Sequence, residues 1–213
     1  MKRFLLILPA LIGAAFLIAG CPKARKDNEY FPMKVGYQWL YETKVEGLQQ
    51  PIKLEVKINR TEKVDNDECF VLESFVNSSG ESLQKEYYAQ TSEGVTLFKI
   101  CWPDQEVMRE PPELVLKTPV TVGQEWKWQG KVLDEKASYQ FKVEKTERIK
   151  ALDRELDCFK IIIRGKHDRG LEYEINRWFA PGIGMVKEES TRREGTKEAK
   201  MTALLKSFKG EGK

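Results

Sequence analysis

The sequence repeats itself, and that limits what it can fold into. Phe31-Pro32-Met33-Lys34-Val35-Gly36-Tyr37-Gln38-Trp39 is echoed by Thr118-Pro119-Val120-Thr121-Val122-Gly123-Gln124-Glu125-Trp126, with Pro, Val, Gly and Trp matched at an offset of 87. Lys57–Val64 echoes Lys142–Ile149 at 85, and Cys69-Phe70 matches Cys158-Phe159 at 89. Tyr88-Ala89 matches Phe179-Ala180 at 91, and Gly94-Val95 matches Gly184-Met185 at 90. The matches keep one order and the offset drifts by only a few residues, so the length differences fall in connections. An internal duplication leaves two arrangements: both halves share one core, the preferred reading, or each closes its own as two tandem domains.

Each half reads as antiparallel strands. Ile52-Lys53-Leu54-Glu55-Val56-Lys57-Ile58 alternates apolar and charged residues, the period of a strand with one wet face, and Tyr139-Gln140-Phe141-Lys142-Val143 does the same. Trp39 and Tyr41 share one strand face, as do Trp126 and Trp128. Ile161, Ile162 and Ile163 form a β-branched run suited to burial on both sides. Turn residues separate the runs at Asp65-Asn66-Asp67, Asn77-Ser78-Ser79-Gly80, Thr91-Ser92-Glu93-Gly94, Lys166-His167-Asp168-Arg169-Gly170 and Pro181-Gly182. The expected fold is all-β, an antiparallel sheet of about ten or eleven strands that must curl to cover its apolar face. A half-barrel, a sandwich and a closed barrel all satisfy this. The domain runs over 30–208, with repeats at about 30–101 and 117–190 and a last strand near 198–208. Residues 102–116 hold Pro103, Pro111 and Pro112 and read as a crossover, because proline removes ladder donors. Asp104, Glu106, Glu110 and Glu113 in that stretch lack calcium-loop spacing and read as solvated acids. Residues 209–213 are a polar tail.

The N-terminus has a different character. Lys2 and Arg3 precede an apolar run, Phe4 to Ile18, that holds Pro9 and Gly13 and falls short of the roughly 20 residues of a spanning helix. The residues Ile18-Ala19-Gly20-Cys21 resemble a bacterial lipobox. The resemblance implies a signal peptide over 1–20, recognised by signal peptidase II at Ile18, Ala19, Gly20 and Cys21, and lipid on Cys21. Acyl chains at about 0.8 kcal/mol per buried methylene would then hold the protein to a membrane outside the cytoplasm. Pro22 follows the cysteine where inner-membrane lipoproteins carry Asp, which favours an outer membrane facing the periplasm in a diderm cell. Residues 21–29 are the lipidated cysteine and a polar tether.

Without residues 1–20, 34 basic residues (36 less Lys2 and Arg3) face 33 acidic ones, with the signs interspersed, so no nucleic-acid footprint stands out. Cys69, Cys101 and Cys158 remain; buried thiols are the expected state, with a Cys69–Cys158 bridge as the alternative. His167, in the turn from Gly165 to Gly170, is the only histidine, and no nucleophile elbow accompanies it. Neither a zinc-ligand cluster nor a phosphate loop is present, and Gly182-Ile183-Gly184 precedes a strand rather than a helix. Glu172 and Glu174 share one strand face and read as a solvated pair. No catalytic residue, metal or cofactor is therefore expected, and no enzymatic activity.

Tyr30-Phe31-Pro32, Gly36, Trp39-Leu40-Tyr41 and Trp178-Phe179-Ala180-Pro181-Gly182-Ile183-Gly184 resemble a pattern in secreted and lipoprotein sequences of bacteria: Tyr-Phe-Pro, Gly-x-x-Trp-x-Tyr, then Trp-Phe-Ala-Pro-Gly-x-Gly. The resemblance implies an all-β envelope lipoprotein and carries over no functional residue. At fold level the chain is remotely similar to the half-barrel carriers that ferry lipoproteins and lipids across the periplasm. Two roles follow: a non-enzymatic interaction or structural module of the cell envelope that meets a protein partner, favoured here, or a binding protein for a lipid or other hydrophobic ligand. For the second role the candidate groove aromatics are Trp39, Trp126 and Trp178.

Overall fold

The structure is a computed structural model that describes residues 29–77 and 80–210. The lipobox residues Ile18, Ala19, Gly20 and Cys21 lie outside the described residues. Twelve antiparallel strands follow one another: β1 (Gln38–Val45), β2 (Ile52–Val64), β3 (Asp67–Val76), β4 (Gln84–Gln90), β5 (Gly94–Trp102), β6 (Gln105–Lys117), β7 (Glu125–Val132), β8 (Glu135–Ala151), β9 (Arg154–His167), β10 (Leu171–Ala180), β11 (Gly184–Glu194) and β12 (Lys197–Lys209). Each pairs with the strand before and the strand after, and β1 pairs with β12, so the sheet closes into an up-and-down barrel without an open edge. Among the described residues no helix is long and apolar enough to cross a membrane. The barrel wall itself faces water: Lys127, Gln140, Lys142, Arg164 and Lys166 are exposed along it, where a barrel set in lipid presents an apolar band.

The two halves, β1–β6 and β7–β12, run through the same course. The β2–β3 ladder skips Asn59 and the β8–β9 ladder skips Glu144, 85 residues on. The β4–β5 register shifts at Tyr87/Tyr88 and the β10–β11 register at Trp178/Phe179, 91 residues on. Bulges of this kind bend a strand, and here they let long strands coil around the barrel. Outside the wall, Lys99 sits 4.5 Å from the Tyr87 ring and Lys187 sits 4.6 Å from the Trp178 ring, the same placement in each half.

The strand β6 corrects the crossover expected over 102–116, and so raises the strand count to twelve. Residues on either side of the prolines pair with β5, while Arg109 to Pro112 loop away opposite Phe98. Proline cannot donate to a ladder, so Pro111 and Pro112 occupy the stretch where the ladder lapses. Toward β7 only Arg109↔Val132 and Glu110↔Lys131 pair. Side chains bridge the rest of that seam: Trp128 Nε1 donates to the Pro111 carbonyl at 2.9 Å, and Trp126 Nε1 to the Leu114 carbonyl at 2.8 Å. Cys69, Cys101 and Cys158 carry free thiols, so the alternative Cys69–Cys158 bridge is not formed.

Candidate functional site

A cavity arises because the two halves fill the barrel unequally. In β7–β8 the cross-strand pairs are Trp126↔Phe141 and Trp128↔Tyr139, stacked with ring centroids 5.0 and 5.3 Å apart. The corresponding pairs in β1–β2 are Trp39↔Val56 and Tyr41↔Leu54. One strand further, Ser74 lies opposite Val56 where Ile163 lies opposite Phe141. Gly165 is the price of the bulkier half: a Cβ there would run into the Tyr139 ring. The second half is thus packed with aromatic rings, while the first leaves a cavity of about 300 Å³.

The walls of this cavity include Trp39, Tyr41, Leu54, Val56, Leu72 and Met201. Phe31 and Pro32, from the segment ahead of β1, form the floor; Phe31 packs 5.2 Å from the Tyr88 ring and 6.1 Å from that of Phe179. The Gly182 amide holds this segment by donating to the Glu29 carbonyl at 2.6 Å. Gly182 and Gly184 have φ of 71° and 94°, the left-handed backbone that the Pro-Gly-x-Gly sequence predicts for the β10–β11 turn. Pairing of β11 with β12 begins at Lys187. Carbonyls before it are taken by side chains of β1, next but one in the sheet, Ile183 by Trp39 Nε1 at 2.6 Å and Met185 by Tyr41 Oη at 2.9 Å. Leu83, 48% exposed in the β3–β4 connection and the one exposed residue of the lining, marks the mouth at the opposite end.

Three charged side chains interrupt the apolar lining: Glu86 on β4, Arg177 on β10 and Glu188 on β11. Arg177 Nε donates to Glu188 Oε2 at 2.7 Å. Glu86 and Arg177 lie deep in the barrel, and the surface they keep accessible is cavity wall. Burial holds the Glu86 carboxyl above its ordinary range; Arg177 opposes the shift and Glu188 adds to it. For Arg177 burial works against the charge, but Glu188 and Tyr88 overcome it and the guanidinium ends above its ordinary value. Burial also raises the phenols of Tyr41 and Tyr88. Next along the barrel, Arg109 Nε is 3.1 Å from Glu113 Oε2. The two groups are out of line for a hydrogen bond, and Arg109 Nε and Nη1 and Glu113 Oε2 are buried without one.

Of the three candidate groove aromatics the structure brings only Trp39 to the cavity. Trp126 points inward but stacks on Phe141 in the packed half. Trp178 is on the outer side of β10, where its Nε1 donates to Glu147 Oε2 at 3.0 Å under Lys187, and its neighbour Phe179 takes the inward place. His167 is not a turn residue but the buried end of β9, with Nε2 2.8 Å from Tyr139 Oη and a pKa lowered by burial. Glu172 pairs outside with Lys166 at 3.3 Å. Among the described residues no group of three His, Cys, Asp or Glu could hold a metal ion. Sequence reasoning missed Glu86, Arg177 and Glu188. A signal existed: Tyr88 and Phe179 match at an offset of 91, and two residues earlier on the same strand face stand Glu86 and Arg177. A larger concavity of about 710 Å³ lies outside the floor between Glu29, Thr91 and Thr118, and none of the three cavity charges reaches it.

Fold and site together define an up-and-down β-barrel with an amphipathic cavity in one half. Solved structures similar to it include a candidate lipoprotein from Parabacteroides distasonis, at 12% identity and a TM-score of 0.46, covering 86% of this chain and 100% of that one. A candidate exported protein with a YmcC-like fold from Bacteroides fragilis matches at 13% identity and a TM-score of 0.46, covering 85% of this chain and 99% of that one. The hypothetical lipoprotein YmcC from Escherichia coli matches at 11% and 0.42, covering 82% and 90%. Likeness at this level assigns no role to any residue here. No family model matches the sequence, and no curated protein matches it.

Proposed function

We propose that this protein is an extracytoplasmic binding protein, lipid-anchored through Cys21, whose barrel holds one small and largely apolar ligand without chemical change. The observation that carries the reading is the cavity, left where Val56, Leu54 and Ser74 stand in place of Phe141, Tyr139 and Ile163. The cavity is open at its mouth, so water reaches the charged groups, while a ligand on the apolar walls takes their area out of water at about 25 cal/mol per Å². The volume is at the lower end of the roughly 300–1,000 Å³ of small-molecule sites, which suits a single chain or ring system rather than a two-chain lipid. The anchor agrees with the basic start, short apolar run and Ile18-Ala19-Gly20-Cys21 of the sequence. Seven residues separate Cys21 from Glu29 and reach at most about 25 Å when extended, so the anchor would tether the barrel at its floor end.

Native mass spectrometry of the full chain from its own membrane tests both parts. Acyl mass on Cys21 and a co-purifying small molecule, absent from a Val56→Phe variant, are expected. A chain that keeps residues 1–20, or a small molecule that survives Val56→Phe, overturns the corresponding part. The envelope interaction role has one observation behind it. Leu48, Leu83, Trp102 and Leu133 are 57, 48, 37 and 47% exposed at the mouth end, Trp102 as the last residue of β5 and the others in connections. Four apolar tips on one rim are a surface for a protein partner, and loss of crosslinks on changing Leu48 and Leu133 to Ser would support it.

A further inference from the structure

The charges in the cavity narrow the ligand, granted the binding role proposed above. Two carboxylates, Glu86 and Glu188, and one guanidinium, Arg177, line it. The nearby arginines face other carboxylates, Arg177 bonded to Glu188 at 2.7 Å and Arg109 3.1 Å from Glu113, and neither forms an ion pair with Glu86. With its carboxylates ionised the lining is therefore one negative charge in excess, and Glu86 is the group left without a counter-ion. We infer that the ligand carries a cationic group, a protonated amine on an apolar chain or ring, and that Glu86 receives it.

The alternatives fare worse on the same geometry. An acidic ligand would place a third carboxylate around one engaged guanidinium. A neutral ligand would leave Glu86 either charged with only the Tyr88 hydroxyl beside it and no counter-ion, or protonated, and a buried charge is tolerated when it is paired. A cation supplies that partner while the apolar body lies against Val56, Leu72 and Met201. The groups that face Glu86 are Tyr88 on its own strand, Arg177 on β10, Glu188 on β11, and Arg109 and Glu113 on β6. Burial raises the Glu86 carboxyl, so it takes up its proton at a higher pH than a surface glutamate. The ionised form binds the cation, so affinity rises with pH until Glu86 is fully ionised and falls as it protonates.

Three adamantane probes with one apolar body separate the cases: 1-adamantylamine, 1-adamantanol and 1-adamantanecarboxylate, titrated calorimetrically into the full chain in detergent. A charge-assisted contact in a buried site predicts that the amine binds about tenfold or more tighter than the other two at pH 8, with the preference shrinking at pH 5. In Glu86→Gln the amine and the alcohol should bind within about threefold of each other, well below that tenfold preference. In Glu188→Gln, which frees Arg177, preference should move toward the carboxylate. Equal binding of alcohol and amine by the unaltered protein, or an amine preference that survives Glu86→Gln, overturns the inference and leaves the apolar binding role standing. Failure of all three probes to bind overturns both.

Discussion

Val56→Phe should close the cavity and stabilise the fold at the same time. Val56 lies opposite Trp39 as Phe141 lies opposite Trp126, and the Trp126 and Phe141 rings stack at 5.0 Å and 4°. Val56 is half-buried, and it borders the cavity. Phenylalanine adds four carbons, which at about 0.8 kcal/mol per buried methylene is roughly 3 kcal/mol. Stacking on Trp39 adds about 0.5–1.5 kcal/mol, and side-chain ordering and imperfect fit take back about 1–2 kcal/mol. A net gain of about 1.5–3.5 kcal/mol raises Tm by roughly 3–14 °C in a chain of this size. Calorimetric melting of the full chain, with adamantylamine titration on the same samples, measures both consequences; binding should weaken by at least about tenfold as wall contacts are lost. In a filled core the same substitution would cost about 1–3 kcal/mol, the opposite sign. A lowered Tm would therefore show that no void exists beside Trp39, and a raised Tm with unaltered binding would show that the void is not the site.

Gly165→Ala should cost about 1–3 kcal/mol in urea denaturation, because its methyl meets the Tyr139 ring, and Tyr139→Leu in the same chain should recover about half of the loss. Trp128→Phe removes the bond to the Pro111 carbonyl and should cost about 1–3 kcal/mol, with amide exchange quickening first in β6 and β7, where the backbone ladder is thinnest. Burial pushes the Cys69 thiol up to about 11 and that of Cys158 up to about 12, whereas Cys101 is partly exposed. Iodoacetamide at pH 8 should therefore alkylate Cys101 first, with Cys69 and Cys158 protected until the barrel unfolds, as peptide mapping would show. The Glu86 carboxyl lies above its unfolded value, so it favours the fold while protonated and loses that contribution as pH rises through its folded pKa. Glu86→Gln should consequently be more stable than the unaltered chain at pH 8, a difference that narrows toward pH 4 and is read from paired melts.

Much of the wall was legible from the chain. The alternation from Ile52 to Ile58 lies within β2, and the Pro-Gly-x-Gly run is the β10–β11 turn. β6 was not, because Pro111 and Pro112 argue against a strand locally. They are tolerated only where its ladder to β5 has already lapsed and Trp126 and Trp128 serve carbonyls across the seam. The aromatic candidates divided for a similar reason. Trp178 and Phe179 alternate faces, but the closure of the whole barrel decides which face is inside.

What the sequence determines alone is periodic: two-residue alternation, turn residues at regular spacing, and a second half that echoes the first at 85 to 91 residues. The first two act between neighbours along the chain and the third is a comparison of the chain with itself, so all three are readable without knowledge of the fold. The cavity is a difference in volume summed over β1 to β4 and β10 to β12, and the charge excess beside Glu86 is a sum over three strands. Residues far apart in sequence contribute to both sums, and only the closed barrel adds them together.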